Sequence, residues 1–138
     1  MERIPIMQIS EQLVLVTGAG RGLGTHIARA FVAQGARVVI NYQRSEAPAR
    51  ALARELGGQA LALQADVTDR DQVAAMLQQA QAHFGQGVTT VVNNALAAFS
   101  FNGDARDQAG DIGWPAFQAQ FEGSVRGALN TVQAALPG

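Results

Sequence analysis

Thr17-Gly18-Ala19-Gly20-Arg21-Gly22-Leu23-Gly24 is the stretch of this chain whose residue types and spacing bear most directly on chemistry. Four glycines within seven residues let a chain turn tightly and let an anionic ligand reach the backbone with no Cβ in the way. The run comes after the apolar Leu13-Val14-Leu15-Val16 and precedes a helical pattern, with Leu23, Ile27, Ala30 and Phe31 on one face. Strand, glycine turn and helix are the setting in which such glycines cradle a dinucleotide diphosphate, because the helix opens with unpaired N–H groups at its positive end. A tight turn with no ligand would use the same glycines, so the run needs support from elsewhere in the chain.

Support comes from the residues just after the second apolar run. Asn41-Tyr42-Gln43-Arg44-Ser45 lies about 20 residues past the glycines, where a carboxylate would hold the adenosine ribose of NAD and an arginine would favour the 2′-phosphate of NADP. There is no acid at Asn41; Arg44 and Ser45 stand there instead, and Arg21 adds a second planar guanidinium suited to phosphate. The alternative is that both arginines are merely solvated loop residues. The pattern points to NADP(H). Asp66-Val67 and Asn93-Asn94-Ala95 stand at the ends of two further apolar runs. Asp66 alone could equally serve a turn or cap a helix.

The elements that must position these residues alternate regularly. Strands are predicted over Leu13–Thr17, Arg37–Asn41, Ala60–Ala65 and Val88–Asn93. Helices are predicted over Arg21–Gln34, closed by Gly35, over Glu46–Leu56, and from a cap at Thr68 or Asp69 to Phe84. The third of these carries an apolar face of Val73, Met76, Leu77, Ala80 and Phe84. A polar loop over 97–113 leads to a last helix from Trp114 or Pro115 to Leu136, with Phe117, Phe121, Val125, Ala128, Val132 and Leu136 as a core stripe and Trp114 packed on the loop before it. This alternation predicts an α/β, doubly wound parallel sheet of Rossmann type, strand order 3-2-1-4, helices on both faces, and a ligand crevice where the order reverses.

Composition limits the partners. A net charge of −1 gives no basis for nucleic acid or an anionic membrane. There is no cysteine, hence no disulfide, thiolate chemistry or cysteine metal site, and neither His26 nor His83 has further ligands at metal spacing. No signal peptide is apparent and no apolar run approaches the roughly 20 residues of a membrane helix, so the expectation is a soluble, cytoplasmic protein of one domain.

Thr-Gly-x-x-x-Gly-x-Gly over Thr17–Gly24, with Asp66-Val67 and Asn93-Asn94-Ala95, resembles the short-chain dehydrogenase/reductase family over Gln12 to Leu136. The Asn41-Tyr42-x-Arg44-Ser45 stretch is most similar to its 3-oxoacyl-[acyl-carrier-protein] reductase branch. The resemblance implies an adenine contact for Asp66 and Val67, a place beside the nicotinamide ribose for Asn94 and Ala95, a carbonyl substrate and a homo-oligomer packed through the last helix. Leu96 stands where the family has a glycine, and Ser124 aligns with a family asparagine.

In the family a tyrosine delivers the proton, assisted by a lysine four residues on. All ten basic residues here are arginine, and the only tyrosine, Tyr42, has Glu46 four residues later. The resemblance therefore implies an NADP(H)-binding half-domain over residues 1–138 with no catalytic residue of its own. It would bind cofactor without turnover, the reducing half lying elsewhere in a longer parent. A non-catalytic dinucleotide-binding, redox-sensing or purely structural module is the alternative.

Overall fold

The computed structural model describes residues 4–96 and 108–137. Four strands, β1 (Leu13–Val16), β2 (Arg37–Tyr42), β3 (Ala60–Gln64) and β4 (Thr90–Val92), form one parallel sheet in the order β3-β2-β1-β4. Three helices join them: α1 (Gly22–Ala33), α2 (Glu46–Leu56) and α3 (Arg70–Phe84). After β4, α4 (Trp114–Phe121) passes through a π-helical segment (Glu122–Arg126) into α5 (Gly127–Ala135). This is the α/β order expected from the sequence.

The sheet is apolar because it is covered on both sides. Alternate residues divide between the two faces. Val14, Val16, Val38 and Ile40 pack with Ala28 of α1 and with Ala49 and Leu52 of α2. Leu13, Leu15 and Val39 pack with Val73, Met76 and Ala80 of α3, and Ala134 of α5 lies against them. The four residues of β1 have no exposed surface, each contributing roughly 1.5–3 kcal/mol relative to an exposed side chain.

Three expectations need correction. On α1 the buried residues are Gly24 and Ala28, whereas Leu23 is 68% exposed and Ala30 is exposed as well. The last helix is interrupted, and its aromatic stripe is not core: Phe117 and Phe121 are each 60% exposed, with Val125, Val132 and Leu136 also outward. The inward face is the small and polar set Gly123, Gly127, Asn130 and Thr131. Close approach explains this, since a Cβ on Gly127 would lie 2.7 Å from Val67 Cγ2. Trp114 is exposed and stacks on Phe117; the loop it was expected to meet lies largely outside the described residues. Finally, β4 is shorter than expected because only Thr90, Val91 and Val92 pair with β1. Of the loop expected over 97–113, residues 97–107 lie outside the described residues.

Candidate functional site

The carboxyl ends of the four strands carry loops that are bolted together by a few polar groups. Thr17, the last residue before the glycines, is buried, and its hydroxyl accepts the N–H groups of Asn94 (3.0 Å) and Ala95 (2.9 Å). The Asn94 side-chain amide donates back to the carbonyls of Thr17 (3.1 Å) and Gly18 (3.2 Å). The loops after β1 and β4 thus meet directly, and two glycines make room for the contact. Gly18 has φ +62°, and a Cβ there would lie 2.9 Å from Ala95 Cα; one on Gly24 would lie 2.6 Å from Asn94 Nδ2. Gly20 performs the same service toward the loop after β2, where an added Cβ would meet Ser45 Cβ at 3.0 Å.

Asn41 is 2% exposed and works from below. Its Oδ1 accepts the Gly18 N–H (3.2 Å) and its Nδ2 donates to the Ala65 carbonyl (3.1 Å), so one amide ties the glycine loop to the end of β3. Tyr42 is buried in the core cluster beneath α1 and α2. Arg44 is exposed and Ser45 half-buried. Asp66 forms a turn, its Oδ1 accepting both the N–H (2.9 Å) and the hydroxyl (2.7 Å) of Thr68.

These loops enclose a crevice of about 510 Å³. It is lined by Gly18, Gly20, Arg21, Gly22, Leu23, Asn41, Tyr42, Arg44, Ser45, Asp66, Val67, Asn94 and Ala95. Of the residues expected from the sequence to bind the cofactor, only Gly24 is not on the wall; it lies beneath, against Asn94. Sequence reasoning missed Gln43, Ala65, Thr68, Leu96 and Gly123 on the lining. It also missed the contacts of α5 behind the lining, where Asn130 donates to the Val67 carbonyl (2.9 Å) and Thr131 to Asn93 Oδ1 (2.6 Å). Buried polar residues at helical spacing with the glycines were the available signal. Ser124 is exposed in the π-helical segment.

Two helix starts show what the crevice can hold. The start of α3 is closed by its own acid: Asp69 accepts the N–H groups of Asp71 (3.0 Å) and Gln72 (3.1 Å), and these bonds, Gln72 first, hold its carboxyl below the usual range. The start of α1 has no capping side chain and no acid in its first turn, and it opens onto the crevice through Gly22 and Leu23. Its N–H groups and dipole are offered to an outside anion. Arg29, Arg50 and Arg126 each pair with a glutamate, whereas Arg21 and Arg44, at the crevice, have no ion-pair partner among the described residues. Free helix-start amides and two guanidinium groups make this wall a place for an anionic ligand. No group of three His, Cys, Asp or Glu among the described residues could hold a metal ion, and no described helix is long and apolar enough to cross a membrane.

Comparison with known proteins agrees with this geometry. The family model for short chain dehydrogenase matches residues 12–138. Versicolorin reductase 1 of Dothistroma septosporum is 40% identical over 107 residues, which are 75% of this chain and 40% of that protein. Elsinochrome reductase 1 of Elsinoe fawcettii is 34% identical over 114 residues, 80% of this chain and 43% of that protein. A probable tetrahydroxynaphthalene reductase of Zymoseptoria tritici is 36% identical over 107 residues, 75% of this chain and 40% of that protein. The chain spans about 40% of the length of the curated relatives it matches. With a glycine-lined crevice at the reversal point of a 3-2-1-4 sheet and a family match over nearly its whole length, the chain belongs to the short-chain dehydrogenase family of oxidoreductases.

Proposed function

We propose that these residues are the NADP(H)-binding half of a carbonyl reductase. The observation that carries the reading is the uncapped, glycine-opened start of α1, facing a crevice flanked by Arg21 and Arg44. The diphosphate lies against the first amides of α1, and the 2′-phosphate is met by Arg21, Arg44 and Ser45. Gly20 permits this arrangement by letting Ser45 close on the glycine loop. The adenine is read by Asp66 and Val67, and Asn94 with Ala95 borders the nicotinamide ribose. Asn41 and Tyr42 line the floor, Asn41 acting through the Gly18 N–H that it holds.

When bound, the cofactor supplies a hydride from C4 of its nicotinamide. The chain's own residues bind and orient it. With no lysine and its one tyrosine at the adenosine end, the chain supplies no proton by a tyrosine–lysine pair, and we expect these 138 residues to bind without turnover. The names of the relatives, a versicolorin reductase and a probable tetrahydroxynaphthalene reductase, support a ketone of the hydroxynaphthalene kind as substrate of the intact reductase. The likeness to 3-oxoacyl-[acyl-carrier-protein] reductases rests on residues 41–45, which border the cofactor and not the substrate, so a thioester substrate has no support from the site. The exposed stripe from Trp114 to Leu136 supports a homo-oligomer joined through α4 and α5. A cytoplasmic setting belongs to the same proposal and rests on composition.

Titration of the protein with NADPH and NADH, monitored by nucleotide fluorescence, tests the reading. NADPH should bind at least tenfold more tightly, the worth of one charge-assisted phosphate contact. Equal affinity would remove the arginine argument, and no binding of either would leave the structural-module reading.

A further inference from the structure

Behind the wall of the crevice, α5 presents two consecutive polar side chains to the interior. Asn130 is 7% exposed and Thr131 fully buried, on a segment whose large apolar residues face outward. Each reaches a different strand-end loop: Thr131 the loop after β4, through Asn93, and Asn130 the loop after β3, through the Val67 carbonyl. Gly127, one turn earlier, brings the helix so close that even a methyl group would strike the Val67 side chain.

The Val67 loop is held at nearly every backbone polar group. The Val67 carbonyl takes the Asn130 amide, and the Thr68 N–H is taken by Asp66 Oδ1. The Asp66 carbonyl accepts the Asp69 N–H. Of the four polar groups on the two peptide units flanking Val67, only its own N–H has no partner among the described residues, and Val67 lines the crevice. A lone donor on a fixed loop reads an acceptor, and the N1 of an adenine is one; the N1 of hypoxanthine carries a hydrogen and is not.

We propose that Asn130 is a positioning residue for base recognition: by gripping the Val67 carbonyl from α5 it fixes the Val67 N–H as a reader of adenine against hypoxanthine. This rests on the nucleotide reading above. Thr131, equally buried but tied to the other loop, has no part in reading the base.

The test compares the affinities of adenosine 2′,5′-bisphosphate and its inosine counterpart, by calorimetry, for the unmodified protein and for Asn130→Asp, which keeps the shape but cannot donate. Asn130→Ser is the second variant should the aspartate prevent folding, and Thr131→Val is the control. The unmodified protein should prefer the adenine ligand by about tenfold. The Asn130 variants should lose the share of that preference that Val67 supplies, Asp66 keeping its own, by weakening the adenine ligand alone. Thr131→Val should keep the whole preference while lowering thermal stability. A merely structural role would weaken both ligands by one factor. An unchanged ratio in the Asn130 variants, or no preference in the unmodified protein, overturns the inference but leaves the cofactor site standing. Binding of neither ligand by the unmodified protein overturns both.

Discussion

Replacing Gly24 by alanine sets a local preference against a tertiary contact. Alanine in place of glycine inside a helix gains about 1 kcal/mol from propensity. The site reverses the sign. An added Cβ would lie 2.6 Å from Asn94 Nδ2, 2.8 Å from Ala19 Cα and 2.9 Å from the Gly18 carbonyl oxygen. Two of these three are backbone atoms that no rotamer change can move. Overpacking of this kind costs about 1–3 kcal/mol. Pushing the Asn94 amide aside forfeits its bonds to the carbonyls of Thr17 and Gly18, at about 1 kcal/mol each. The balance is a loss of about 3 kcal/mol, or a fall in Tm of roughly 9–15 °C for a domain of this size. Thermal unfolding monitored by circular dichroism measures it. A double-mutant cycle with Asn94→Ala should show coupling of about 1 kcal/mol, since the two changes share one contact. A Gly24→Ala protein with a raised Tm would refute the close-packing argument, because propensity alone predicts that outcome.

The same geometry sets three further outcomes. Arg44→Asp should lower the NADPH-to-NADH affinity ratio at least tenfold, read by fluorescence titration; an unchanged ratio removes Arg44 from the phosphate site. Asp69→Ala should lower Tm at neutral pH and lose that effect in acid. The folded-state pKa of Asp69 is depressed, so its contribution is complete above the unfolded value of about 4 and disappears as pH falls through the folded one; a constant gap across the acid range would contradict the capping role. Paired Phe117→Asp and Phe121→Asp substitutions should give a smaller assembly by light scattering. Their Tm should lie within about 2 °C of that of the unmodified protein diluted to its dissociated form, because both rings face outward in the single chain. A collapse of Tm would return these rings to the core.

The order of the sheet and the crevice were legible because they depend on local signals repeated at each strand end. Glycines after β1, Arg44 and Ser45 after β2, Asp66 after β3 and Asn94 after β4 each mark the carboxyl end of a strand, and a parallel sheet brings those ends together. The last helix was misread for a physical reason. Phe117, Phe121, Val125, Val132 and Leu136 share one helical face, but periodicity reports that a stripe exists and not what covers it. A second face, Gly123, Gly127, Asn130 and Thr131, has the same spacing and is the buried one. It reads as polar only because its amide and hydroxyl partners, Val67 and Asn93, are more than 35 residues away in the chain. Leu23 shares an apolar face with Ile27 by its i, i+4 relation, yet the first turn of α1 opens onto the crevice, where Leu23 is exposed. The role of Asn41 was hidden likewise, since its partners Gly18 and Ala65 come together only in the folded sheet.

The central claim is that a dinucleotide diphosphate rests on the amides that begin α1. Backbone amide chemical shifts recorded by NMR during NADPH titration test it most directly. The largest changes are expected at Gly20, Arg21, Gly22 and Leu23, with a second group at Arg44, Ser45 and Val67. Changes confined instead to the hollow of about 620 Å³ at the opposite end of the sheet, around Gln86, Gly87 and Thr89, would contradict it.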